Sequence, residues 1–328
     1  MLELFRRNIF INSLLLLPYI FLVRIGTLLM PQSYNTEFIQ GSIIYSAVYV
    51  YLDNPLVQNI IAGFLIFIQA LIVNYIFLNQ KISRESTQFA GVFYVLFVSL
   101  IADSAGLTPI LIANTFLLAG LLNILNSYKN TNATAQIFNA GFLIAIAALI
   151  YIPYTVFVLF GIVSLLQLRS FKLIEKIQFL VGIITPAFLI FTVKYWFDQP
   201  FIEAAFLKDI FFRWPEISLD QRIIEYVTIG LIVFIALIWV LLMGYIEDKK
   251  NIHARKKIRI IYVFMVFCLF AYLVFNTRLE EHILSLAIPN ALLTGIIASE
   301  SKNKLFFELL HFVLIIMIFI GQFNLIPF

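Results

Sequence analysis

Charge is scarce in this chain: only 12% of its 328 residues are Asp, Glu, Lys or Arg, and 62% are hydrophobic. A soluble domain averages about a quarter charged and roughly half apolar. A water-soluble fold of this size has no way to hide so much apolar surface, so lipid is the expected solvent. Cysteine is nearly absent. Cys268 stands alone in an apolar run, which excludes an internal disulfide and a thiolate metal site. The three histidines, His253, His282 and His311, are far apart, which argues against an iron or zinc centre built on several imidazoles. A phosphate-binding loop is missing, so an ATP-driven mechanism has no support. There is no long hydrophilic stretch, low-complexity linker or short-period repeat, and no feature points to a nucleic-acid partner. A signal peptide is not indicated either. The apolar run behind Arg6 and Arg7 continues to about Met30, too long for an h-region, with no small-residue cleavage site after it.

What is abundant is apolar sequence in long runs. A helix needs about 20 residues to cross a hydrocarbon core of roughly 30 Å. Runs meeting or approaching that length fall near 8–30, 56–78, 87–102, 105–126, 134–150, 152–168, 174–195, 223–246, 258–275, 283–298 and 304–324. They are apolar all round, whereas barrel strands would alternate, and only helices or closed barrels satisfy their backbone in lipid. The expected fold is therefore all-α: a transmembrane helical bundle of about 11 spans forming one membrane domain over residues 1–328. Two sub-bundles, 1–195 and 223–328, would be joined by an outer interfacial loop at 196–222.

Lys and Arg set the orientation. Assigning alternate connections to opposite sides places 16 of the 22 on one side, from Arg6 and Arg7 through the cluster Lys249–Arg259 to Lys302 and Lys304. The other side receives 6: Arg24, Lys194, Lys208, Arg213, Arg222 and Arg278. A missed or surplus span would scramble this separation. The N-terminus is expected in the cytoplasm, the C-terminus outside, and the membrane to be a bacterial inner membrane, because outer-membrane proteins are barrels.

Chemistry, if present, is expected on the outer face. The loop at about 31–55 carries Glu37 and Asp53 around an apolar, aromatic run, and the loop at 196–222 carries Arg213; both read as interfacial helices. The run 87–102 is short, roughly 24 Å of helix at 1.5 Å per residue. It meets its successor through the tight turn Ala102-Asp103-Ser104-Ala105-Gly106. A carboxylate near the core costs on the order of 2.5–3.5 kcal/mol, so Asp103 is wet, paired or useful, or it caps the helix that follows. Arg24, in the outer half of the first span, is a partner for Asp103, a phosphate ligand or a snorkelling side chain. Intramembrane amides, among them Asn74, Asn114, Asn123 and Asn290, are expected to act as interhelical hydrogen-bond donors and acceptors.

This layout resembles the GT-C glycosyltransferases, polytopic enzymes that take sugars from polyprenyl-phosphate carriers on the outer face. The resemblance lies in the cytoplasmic N-terminus, the interfacial first outer loop with carboxylates and the short, tightly turned third to sixth spans, over roughly residues 1–195. It implies catalytic carboxylates at Glu37 or Asp53 and at Asp103, and a carrier phosphate held by Arg213 or Arg278. A polyprenyl-phosphate-linked sugar would be the substrate. No cofactor is predicted, and a divalent metal enters only in this enzyme reading. The chain also looks like a multi-pass inner-membrane family of Bacteroidota. Two other classes remain open: a non-catalytic membrane subunit or scaffold of an envelope complex, with membrane-protein partners, and a transporter.

Overall fold

All eleven apolar runs fold as helix, and no strand occurs among the described residues. The structure, a computed structural model, describes residues 2–31, 54–101, 106–169, 172–198, 223–274 and 279–323. The helices are α1 (Phe10–Val23), α2 (Ile25–Leu29), α3 (Pro55–Asn79), α4 (Phe89–Ser99), α5 (Pro109–Asn126), α6 (Thr134–Ile150) and α7 (Val156–Leu168). They continue with α8 (Leu173–Trp196), α9 (Ile223–Leu241), α10 (Met243–Asp248), α11 (Ile252–Val274), α12 (Leu279–Glu300) and α13 (Lys304–Gln322). Among the described residues, five helical segments are long and apolar enough to cross a membrane: Pro55–Asn79, Pro109–Asn126, Leu173–Trp196, Ile283–Glu300 and Lys304–Gln322.

Local chemistry fixes several helix starts. Asn54 accepts from the Leu56 amide (3.0 Å) and Thr108 from the Leu111 amide (3.1 Å), each just ahead of a proline whose missing N–H costs nothing at a first helical position. Asn303 caps α13 through the Phe306 amide at 3.3 Å. Two runs are broken within their length and one starts earlier than the apolar pattern suggests. The first breaks at Arg24 and the eighth at Leu242. The ninth begins at Ile252, earlier than expected, so Arg255, Lys256, Lys257 and Arg259 stand on a helix and not in a loop. Partners make that possible: Asn251 accepts from the Ala254 amide (2.8 Å), Lys257 Nζ donates to Gln80 O (3.2 Å) and Arg259 pairs with Glu247 (2.8 Å).

The shortest of these helices lies at the centre. Every residue of α4 is buried, and α3 and α12 pack along it. A helix that is apolar on all sides has no face for water, and this one is enclosed by protein. Its first amides would be orphans in such a place. Asn74 of α3 accepts from Gly91 N (2.7 Å), and Phe5 O accepts from Gln88 N (3.0 Å). At the periphery the pattern inverts. Leu173, Ile184, Phe188 and Trp196 of α8 are exposed, and α8 packs mainly on α6. That contact is close because Gly141 and Gly182 face the opposing backbone; a Cβ on either would collide with the carbonyl of Phe179 or Phe138.

One connected set of contacts gathers the connections that the basic count groups together. Arg6 pairs with Glu85 (3.1 Å), Arg84 donates to Lys249 O (2.7 Å) and Gln80 to Asn126 (2.6 Å). Lys129 meets His253 (3.1 Å), Arg169 donates to Ser127 O (3.0 Å), and Lys304 lies 3.8 Å from Glu3. The N-terminal segment and the connections near 80–88, 126–133, 169–172, 249–251 and 301–303 thus share one end of the bundle. At its heart Lys250 pairs with Glu300 and donates to Ile82 O (2.7 Å). Burial pulls the Lys250 ammonium below the usual lysine range, while Glu300 acts in the opposite direction.

Candidate functional site at the break in the first helix

The far end of the bundle holds the one sequence-predicted site residue that falls among the described residues, Arg24. It closes α1 and opens α2 with φ −100° and ψ 19°, which are not helical values. Fourteen residues of α1 place it about 21 Å from the start of that helix. Arg24 is only 3% exposed, so it is buried within the bundle and does not extend to the surface. The snorkelling alternative therefore fails.

A buried break in a helix frees backbone groups that need partners from elsewhere in the protein. One side chain of α13 does most of this. Gln322 Nε2 donates to Val23 O (3.1 Å), while its Oε1 accepts from Gly26 N (3.1 Å). The two backbone partners fix which amide atom is which. Gly26 is required for the approach, since a Cβ there would sit 2.7 Å from Gln322 Cβ. Thr27 Oγ1 donates to Arg24 O (2.8 Å), and Asn59 of α3 donates through Nδ2 to Thr27 O (2.8 Å). Three parts of the chain, far apart in sequence, thus hold one arginine at a discontinuity. Asn59 Oδ1, buried, accepts no hydrogen bond among the described residues. The break thus has a buried arginine, and a buried amide oxygen of Asn59 beside the Thr27 carbonyl that its own Nδ2 meets.

Glu37, Asp53, Asp103, Arg213 and Arg278 lie outside the described residues. Among the described residues, no three His, Cys, Asp or Glu side chains gather as a metal site. Asn59 and Gln322 do not stand out in the sequence as site residues. The available signal was an amide near the same end of an apolar helix as Arg24. The amides expected to bond between helices divide. Asn74 accepts from Gly91 N, Asn114 accepts from Tyr154 (2.6 Å) and Asn290 donates to Ile232 O (3.2 Å), all between elements. Asn123 bonds only its own helix, at Ala119 O (2.8 Å). His311 has Nε2 2.9 Å from Tyr19 Oη on α1, which ties α13 to α1.

Fold and site together define a class: a helical protein with several apolar helices, five of them among the described residues long and apolar enough to cross a membrane, and a buried arginine at a helix break. Within that class the chain belongs to the Family of unknown function (DUF6427), which it matches over residues 38–327. Asn59 and Gln322 lie inside the matched segment and Arg24 ahead of it. No curated protein and no solved structure matches the chain.

Proposed function

We propose that the chain is a multi-pass protein of a bacterial inner membrane, with eleven spans, the N-terminus in the cytoplasm and the C-terminus outside. In this reading it is a GT-C-like transferase acting at the outer leaflet on a polyprenyl-phosphate-linked sugar. The observation that carries the reading is Arg24: a cation buried at a helix break, backed by amides from two other helices, at the end opposite the basic connections. An ionisable side chain kept inside a membrane bundle against its desolvation cost marks a functional position. A guanidinium matches phosphate oxygens in two-pronged geometry and stabilises the departing lipid phosphate. Asp103, with Glu37 or Asp53, supplies the carboxylate that takes the acceptor hydroxyl's proton. Arg213 and Arg278 add positive charge for the carrier.

The test is retention of a polyprenyl phosphate by the purified protein in lipid nanodiscs. Arg24→Gln is expected to lose the carrier, and Arg24→Lys to keep part of it. An Asp103→Asn strain is expected to lose the transferred glycan while its protein still binds carrier. Equal carrier retention by Arg24→Gln and the parent protein sinks the phosphate assignment. Unchanged glycans in the Asp103→Asn strain remove that residue from the mechanism.

One observation favours a second reading, a non-catalytic subunit of an envelope complex. The apolar window of Leu173–Trp196 is only 17% buried, against 83% for Ile283–Glu300, which leaves a long face for a membrane partner. Copurification of one partner at constant stoichiometry, lost on substitutions along that face, decides for it.

A further inference from the structure

The basic end contains a cleft of about 870 Å³ between the end of α10, the end of α12 and the start of α13. Its inner wall is apolar: Ile246 and Ile296 are buried there, with Ile297 beside them. Its rim is cationic, formed by Arg84, Lys249 and Lys302, all exposed. The two carboxylates of the lining are already matched. Glu85 is held by Arg6 at 3.1 Å, and Glu300 takes the Lys250 ammonium and the Arg84 amide (2.9 Å). The rim cations sit among neutral acceptors: Arg84 donates to Lys249 O (2.7 Å), and Lys249 Nζ lies 3.7 Å from the Tyr245 ring centroid. The cleft therefore carries surplus positive charge over an apolar wall. Exposed apolar residues continue from its lining: Tyr245 on it, Leu241 and Leu242 just before it in sequence, and Leu305 just beyond Asn303.

We propose that this cleft binds one anionic phospholipid, its headgroup phosphate between Arg84, Lys249 and Lys302 and its acyl chains along Tyr245 and Ile297 toward Leu305. A soluble anion would match the rim and leave the apolar wall and the exposed apolar residues beside it unused. A neutral lipid would match the wall and leave three cations uncompensated. Basic pockets between membrane helices on the cytoplasmic side take anionic headgroups for this reason. The inference rests on the membrane reading alone and on nothing at Arg24, which lies at the opposite end.

Native mass spectrometry of the full-length protein tests it, with phosphatidylglycerol and phosphatidylcholine added in equal amounts. The parent protein is expected to retain one phosphatidylglycerol in preference, and the triple variant Arg84→Gln, Lys249→Gln, Lys302→Gln to lose it by on the order of a hundredfold. A control removing equal charge elsewhere at that end (Arg7→Gln, Lys81→Gln, Lys176→Gln) is expected to keep it. Because Lys302 is exposed, Lys302→Glu alone should weaken retention without affecting folding, read from thermal stability in the same detergent. Equal retention of both lipids, equal loss in the control, or displacement by millimolar inorganic phosphate overturns the proposal; the last result would mark a free-anion site.

Discussion

At the residue scale the account turns on how buried polar groups are matched. Gln322 bridges both backbone groups that the break at Arg24 releases. Gln322→Leu leaves Val23 O and Gly26 N without this partner, at roughly 1–3 kcal/mol for each unpaired group. The expected outcome is a lower thermal midpoint together with loss of carrier retention, measured on one preparation; an unchanged midpoint would show the amide to be dispensable. Lys250 and Glu300 form the other buried match. Lys250→Met leaves a carboxylate without its cation and is expected to cost roughly 3–5 kcal/mol, while Lys250→Met with Glu300→Leu recovers most of that. A double variant as unstable as the single one contradicts the pairing. The sign of the pH dependence follows from the folded-state shift. Burial lowers the Lys250 value, so the unfolded chain binds its proton more readily, and this contribution to stability rises with pH toward the ordinary lysine range. A titration of the midpoint into alkaline solution should show that slope in the parent protein and lose it in Lys250→Met.

At the element scale, run length and apolarity were legible in the sequence because a helix is the way a charge-free run satisfies its backbone in lipid. The breaks at Arg24 and Leu242 were not legible. Ile and Leu around them carry no helix-stopping signal, Gly26 and Gly244 just beyond are of a type common inside apolar membrane helices, and the break at Arg24 is stabilised by Gln322, almost 300 positions away. The central position of α4 was likewise hidden. Its shortness alone does not reveal that all eleven of its residues are enclosed by protein. The close crossing of α6 and α8 depends on two glycines whose meaning appears only once the helices face each other. Gly182→Leu pushes the backbones apart, at about 1–3 kcal/mol from overpacking. Limited proteolysis of the solubilised protein is expected to cut near residue 198 faster in that variant, with the rest of the bundle intact. Protection equal to the parent protein would show that the crossing tolerates a side chain.

At the scale of the whole molecule, the lysine and arginine count was the strongest signal, because it groups connections that the structure brings to one end. The candidate carboxylates were chosen by residue type and position in the outer connections, so their use in one site rests on those connections. Cys268 is buried, which makes cysteine scanning clean. A single cysteine at position 130 or 302 is expected to react with an impermeant maleimide only after the membrane is opened, and one at position 54 or 198 in intact cells. Labelling of 302 in intact cells would invert the orientation and place Arg24 on the cytoplasmic side. The most direct measurement of the central claim is a cryo-EM map of the protein in nanodiscs with a polyprenyl phosphate. The account predicts phosphate density against the Arg24 guanidinium, beside Asn59 and at the end away from Lys250. Carrier density elsewhere, or a packed end with Arg24 enclosed and no lipid phosphate near it, would contradict the transferase reading and leave Arg24 a structural part of the break.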